Sequence, residues 1–263
     1  MKSKAIVLLV FAFLSCNKKA MEPVDYSNRS RITLSFNHVV GNQPLSRGNT
    51  SYTNGSGEEF KITSLKYFIS NISLTKSDGS VYVVPQDSSY FLIDESQDTS
   101  KAAIITTPPG QYKQMSFVIG VDSLRNTKDI SQRLGVLDPT ASAADMYWTW
   151  NSGYIFFKLE GNSTVSPQTD KSFRYHIGLY GGLTSGTINN IKRVSIDLNP
   201  LGGVKVNNAK NSTIFIQGDI LKVFTGKHKI SISSNSVVMA TPFSASVAEN
   251  YANMFVHVKT TND

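Results

Sequence analysis

Residues 145–161, DMYWTWNSGYIFFKLEG, hold both tryptophans of the chain, Trp148 and Trp150, beside Met146, Tyr147 and Tyr154. Side chains alternate across an extended strand, so Met146, Trp148 and Trp150 share one face and Tyr147 and Thr149 the other. A strand this apolar and aromatic is suited to the middle of a sandwich. Asn151, Ser152 and Gly153 interrupt the run, which predicts a break or bulge there before it continues to Leu159.

The same two-residue period recurs on both sides of this stretch. Residues 32–40, ITLSFNHVV, put Ile32, Leu34, Phe36, His38 and Val40 on one face. Residues 60–74 are strand-prone throughout, and Asp78-Gly79 is a hairpin signal before a return strand at 81–84. Further strands are predicted at 90–94, 112–121, 173–179, 191–198, 213–223 and 254–259. In FRYHIGL, Phe173, Tyr175 and Ile177 oppose Arg174 and His176. Short helices are predicted within 130–137, stopped by Pro139, and within 237–252. Many short strands between turn signals give an all-β fold, an antiparallel β-sandwich of immunoglobulin-like or jelly-roll-like type. Long loops and one or two short helices complete it. It is expected to occupy 32–260 as one domain, with no repeat of fixed period.

The N-terminus has a different composition. Lys2 and Lys4 precede the apolar run AIVLLVFAFL at 5–14, which is too short to anchor stably across a bilayer. Leu14-Ser15-Cys16 then resembles a bacterial lipobox, in which the leader is cut before the cysteine and the thiol takes lipid. Residues 1–15 are therefore read as a lipoprotein signal peptide and 16–31 as a lipidated polar tether. Cys16 is the chain's single cysteine, so it has no internal disulfide partner. Losing Lys2 and Lys4 lowers the formal charge from +7 to +5. Lys18 and Lys19 would then lie where anionic headgroups attract them. The remaining basic residues are scattered without an aromatic-interleaved patch, which argues against a nucleic-acid partner. The expected location is the bacterial cell envelope, lipid-anchored at the outer membrane.

Catalytic patterns are missing from the sequence. There is no Gly-x-Ser-x-Gly nucleophile motif, no HExxH and no phosphate-cradling glycine loop. Asp94, Glu95, Asp122, Asp145 and Glu160 are available, but no spacing selects a catalytic pair. The chain is therefore read as a non-enzyme. With Cys16 committed to lipid, a sulfur-type zinc site is excluded from the mature domain. Four histidines remain: His38 and His176 on strands, His228 between Lys227 and Lys229, and His257 near the C-terminus. A histidine on an apolar strand face is either a hydrogen-bonded core residue or a metal ligand, and sequence alone leaves both open.

An ordered set of segments resembles the MbnP-like family. It runs through Phe36–Gly41 with Pro44-Leu45, residues 65–74 with Asp78-Gly79, YFLID at 90–94 and IGVDSLRN at 119–126. It continues with residues 146–154, Lys158–Gly161, Tyr175-His176-Ile177-Gly178 and NYANMF at 250–255. That family includes copper-binding surface proteins of methane-oxidising bacteria, of the MopE and CorA group, and many Bacteroidetes lipoproteins. The resemblance implies a β-sandwich and a copper site built from histidines and an oxidised tryptophan, kynurenine. A di-haem peroxidase of MauG type is the implied oxidising partner. Carried over by position, His38 and His176 are the candidate histidines, and Trp148 and Trp150 the candidates for oxidation. Indole offers no useful lone pair to a metal, whereas kynurenine brings an aryl amine and a ketone; imidazole and amine suit copper. The alternative is a surface sandwich that binds glycan or protein without metal.

The lipobox reading is checked by phase partition: with its leader intact, the chain expressed in a bacterial host enters the detergent phase, and Cys16→Ser moves it to the aqueous phase.

Overall fold

The computed structural model describes residues 29–151, 153–207 and 211–262. The leader at 1–15, Cys16 and the tether up to residue 28 lie outside the described residues. The described strands are, in order, β1 (Ser30–Val40), β2 (Gln43–Pro44), β3 (Tyr52–Thr53), β4 (Glu59–Lys76), β5 (Val81–Val83), β6 (Tyr90–Asp94), β7 (Ala102–Thr107) and β8 (Gly110–Ile119). They continue with β9 (Tyr147–Trp148), β10 (Gly153–Asn162), β11 (Ser172–Gly178), β12 (Lys192–Asp197), β13 (Val204–Val206), β14 (Ser212–Asp219), β15 (Val237–Val238) and β16 (Phe255–Asn262). Helices α1 (Ser123–Asn126), α2 (Leu221–Thr225) and α3 (Ser244–Tyr251) are short.

Two sheets form the expected all-β sandwich. The first has five strands, with β16, β14 and β1 in order and both β2 and β7 on the far edge of β1. The second has eleven strands along β12-β8-β4-β10-β11-β15, with short strands attached. Most pairs are antiparallel, as the turn pattern predicts. Two are parallel: β1 beside β14, from Ile32↔Ser212 to Val39↔Asp219, and β11 beside β15. Alternation decides a strand's faces but not the direction of a distant partner, so sequence could not reveal these pairings.

The main core lies between the sheets. From β1 it takes Ile32, Leu34, Phe36 and Val40, from β14 Ile214 and Ile216, and from β4 Ile62, Leu65, Tyr67 and Ile69. Phe36 meets Tyr67, Phe117 and Phe255 edge-on, at centroid distances of 6.2, 6.0 and 6.0 Å. Such edge contacts add to the burial energy of large rings. The long strand β4 is not regular. Its register slips between Ser70 and Ser73, and Asn71 sits there at φ 51°. Asparagine tolerates that left-handed backbone better than most residues.

A second apolar cluster covers the outer face of the second sheet. Phe68, Tyr154, Ile155 and Phe156 are met there by Val121, Leu137, Ala143, Met146 and Trp148 from the segment after β8. Arg133 pins this cap. It donates to the carbonyls of Lys128 and Asn126 at 2.9 and 2.7 Å and to the Tyr147 hydroxyl at 2.9 Å. Its guanidinium also lies over the rings of Tyr147 and Tyr154, at 5.5 and 5.6 Å.

The helical expectations are met only in part. Residues 130–137 form two 3₁₀ turns, Ile130–Gln132 and Gly135–Leu137, in place of one helix. The run 237–252 is helical only over α3, because Val237 and Val238 are drawn into β15. The strand expected over 213–223 stops at Asp219, and α2 follows.

Glu58 ties the start of β4 to the turn at 231–234. Burial alone raises its pKa, but donors outweigh that: the Ser233 hydroxyl, the Asn54 amide and the backbone N–H groups of Ile232 and Ser233 together bring it from 4.5 to about 2. A carboxylate with a depressed pKa stabilises the fold above its unfolded value and loses that contribution as pH falls toward the folded value. Glu58→Gln is expected to lower stability at neutral pH by roughly 3 kcal/mol. The gap between variant and wild type should close from about pH 4.5 down to about pH 2 in denaturation curves recorded across that range.

Candidate functional site

His38 sits near the end of β1 with its side chain pointing inward, 2% exposed. Its Nδ1 is 2.5 Å from Glu95 Oε2 and its Nε2 is 2.9 Å from the Tyr67 hydroxyl. Lys101 lies 3.4 Å from the other Glu95 oxygen and 2.8 Å from Asp98, which leads the chain of charges out to solvent. Burial pushes the Tyr67 phenol well above its ordinary pKa, and the Glu95 charge adds to that. Tyr67 is therefore a neutral donor. An ionised Glu95 can only accept, so a neutral His38 carries its proton on Nδ1 and accepts from Tyr67 on Nε2. Both ring nitrogens are committed within the core.

His176 lies on the other side of the second sheet. In β11, Phe173, Tyr175 and Ile177 enter the core, and Arg174 and His176 face outward, as alternation predicts. Its Nε2 donates to Glu160 Oε1 at 2.7 Å. Lys158 pairs across the ladder with both His176 and Lys66, which places all three side chains on that outer face. Asp145 reaches onto the same face, 3.0 Å from Lys66 and 3.4 Å from Lys158. Lys66 also bonds Asp94 at 2.9 Å. The hydrogen bond from His176 holds Glu160 below the usual carboxylate value, and Lys158 helps against the cost of burial.

The tryptophans cap one end of this row. The structure divides them, where strand alternation had put Met146, Trp148 and Trp150 on one face. Met146 ends a 3₁₀ turn, Trp148 belongs to the two-residue β9, and Trp150 lies in the turn into β10. Met146 and Trp148 are buried in the outer cluster, while Trp150 is 65% exposed. The indoles remain in contact, with centroids 5.2 Å apart and planes inclined by 36°. Trp148 packs onto Gly178: a Cβ at that position would lie 2.7 Å from the indole and 2.5 Å from the Tyr154 carbonyl. Glycine is what allows the ring to approach. His176 is two positions earlier on the same face of β11.

The expected meeting of His38, His176 and a tryptophan is therefore only half realised. His176 and Trp148 share the outer face; His38 is between the sheets, with the second sheet in the way. The sign that would have told them apart is the partner. His38 needed Glu95 and Tyr67, 57 and 29 positions away, and nothing local announces either. The other histidines stand apart as well. His228 shares Glu249 with Lys227 at 2.8 and 2.7 Å, and His257 bonds Thr260 at 2.8 Å. Among the described residues no group of three His, Cys, Asp or Glu side chains is placed to hold a metal ion.

A cleft of about 450 Å³ lies beside α1, between Tyr90, Arg125 and Lys128. Its arginine and tyrosine are already engaged. Arg125 pairs with Asp87 and stacks over Tyr90 at 5.1 Å. Tyr90 donates to Asp122, and its phenol is pushed up to about 12 by burial and by that carboxylate. Asp122 also caps α1 through the Arg125 N–H. These contacts clasp the cap to the sheet.

Residues 29–240 match the MbnP family model. The chain belongs to the MbnP family. Among solved structures, MbnP from Methylosinus trichosporium is similar with a TM-score of 0.54 over 82% of each chain, at 13% identity. At that identity the likeness is one of fold. No curated protein matches the chain in sequence. In this MbnP-family chain the two-histidine copper set implied by position does not fit, because His38 has both nitrogens engaged in the core. His176 and Trp148 are the members of that set that share a surface.

The two histidines should separate cleanly on mutation. His38→Ala leaves the buried Tyr67 phenol without its acceptor and opens a cavity in the core, and is expected to cost about 2–4 kcal/mol in urea denaturation. His176→Ala removes a partly exposed pair and should cost about 1 kcal/mol or less.

Proposed function

We propose that the chain is a non-enzymatic, lipid-anchored protein of the bacterial cell envelope that binds copper in metal acquisition or homeostasis. Its copper surface is the outer face of the second sheet, at His176, Glu160 and Trp148. Family membership supports the choice of metal. The observation that carries the position is Trp148 packed on Gly178, with His176 two residues along the same strand face.

Unmodified Trp148 only packs. Oxidised to kynurenine by an envelope peroxidase of di-haem type, the same side chain would present an aryl amine beside the imidazole. Lys158, 3.8 Å from Glu160, raises the cost of a divalent ion there. Singly charged copper meets less repulsion and prefers nitrogen donors to hard oxygens. A ring nitrogen that ligates cannot also carry a proton, so acid weakens copper retention.

A second reading, a metal-free surface protein that binds glycan or protein, is favoured by the separation of His38 from His176.

Competition titration with copper, on protein purified from its native host, tests the first reading. The wild type is expected to retain about one copper per chain, and His176→Ala to lose it. The folded fraction of His38→Ala should still bind. Mass spectrometry should find Trp148 with one added oxygen less one lost carbon. Copper retention unchanged in His176→Ala would exclude this site.

A further inference from the structure

We propose that the cleft beside Trp150 is a binding site for a neutral carbohydrate. The proposal develops the metal-free reading and needs no copper. The cleft measures about 410 Å³, within the usual range for small-ligand pockets. Asn151, Tyr180, Thr187, Leu179, Ile188 and Ala240 line it.

Its walls are pre-formed. One is the loop after β11, closed by hydrogen bonds from Gly181 N–H to Ile188 O at 3.0 Å and from Thr187 N–H to Gly181 O at 2.9 Å. Tyr180 and Asn189 bridge its base. Gly182, at φ +85°, permits the tight tip: a Cβ there would lie 2.1 Å from the Ser185 carbonyl. The other wall is Asn151, which follows Trp150 in the turn and whose N–H donates to Trp148 O at 3.3 Å.

The lining chemistry selects the ligand class. Among the described residues no Asp, Glu, Lys, Arg or His lines the cleft, so none of them compensates a charged ligand there. An amide, a phenol and a hydroxyl can exchange hydrogen bonds with sugar hydroxyls. Trp150, next to Asn151 in the chain, is 65% exposed and backed by Trp148 at 5.2 Å. The tilted contact with Trp148, at 36°, restrains the exposed indole and makes it a platform. The apolar C–H face of a pyranose ring can lie on it while its hydroxyls reach the amide and the phenol. A purely apolar ligand would leave those polar groups unpaired and is disfavoured.

Affinity electrophoresis through gels carrying a soluble β-glucan, a xylan or a galactomannan tests the site, with serum albumin gels as control. Trp148 and Trp150 are the chain's only tryptophans, so intrinsic emission reports from the same place. The wild type should be retarded in at least one neutral gel, with a saturable change in emission on adding that polysaccharide. Trp150→Ala and Tyr180→Ala should weaken half-retardation roughly tenfold, with thermal unfolding checked to show that each variant is folded. His176→Ala and added chelator should leave retardation unchanged, which separates this outcome from the copper reading. No retardation in any neutral gel, undiminished retardation in both folded variants, or equal retardation by albumin would overturn the proposal.

Discussion

Phe36 is the point on which the two sheets close. Its ring is edge-on to Tyr67, Phe117 and Phe255, drawn from β4, β8 and β16. With those contacts set, the next inward position of β1 falls beside the Tyr67 hydroxyl. A buried phenol needs a partner, and His38 supplies one, held in turn by Glu95. The polar trio is a consequence of aromatic packing: it satisfies a hydroxyl that the core has sealed in. That constraint also decides which side of the second sheet His38 occupies, and therefore which residues it can never reach.

The strand content was legible because it depends on a local rule. Alternation at 32–40 and 173–179 correctly assigned inward and outward faces, including those of His38 and His176. Asp78-Gly79 correctly marked the turn between β4 and β5. What local pattern could not carry was partnership across distance. The parallel neighbours of β1 and β11 and the short strands attached along β4 are decided by tertiary pairing. The segment with both tryptophans shows the limit most clearly. Its strand character is real at Tyr147 and Trp148, but the chain turns at once, and Trp150 is left in solvent. Reading Met146, Trp148 and Trp150 as one stripe extended a period past the point where a turn ended it.

The faces of His38 and His176 were legible in their strands; their separation by the second sheet was not. Trp148 and His176 come together on the outer face, and Gly178 is what lets the indole approach. That glycine is unremarkable in sequence and acquires meaning only when the indole is seen lying on it. The positions carried over from the family resemblance are separated by the fold: His38 lies between the sheets, and His176 lies on the outer face with Trp148. The outer face of the second sheet also carries a row of alternating charges, Lys66, Asp145, Lys158 and Glu160, and ends in paired indoles. Chemistry is concentrated on the face that the inner core does not need.

The side-by-side parallel contact of β1 with β14 has a bearing on biogenesis. Ile32 pairs with Ser212, 180 positions later. β2 and β7 become available to β1 early, but its β14 edge waits for most of the polypeptide. Contacts of such long range close late and slowly, since loop entropy must be overcome before they form. The first sheet therefore stays open along that edge of β1 until β14 has been made, whatever forms earlier on the other edge.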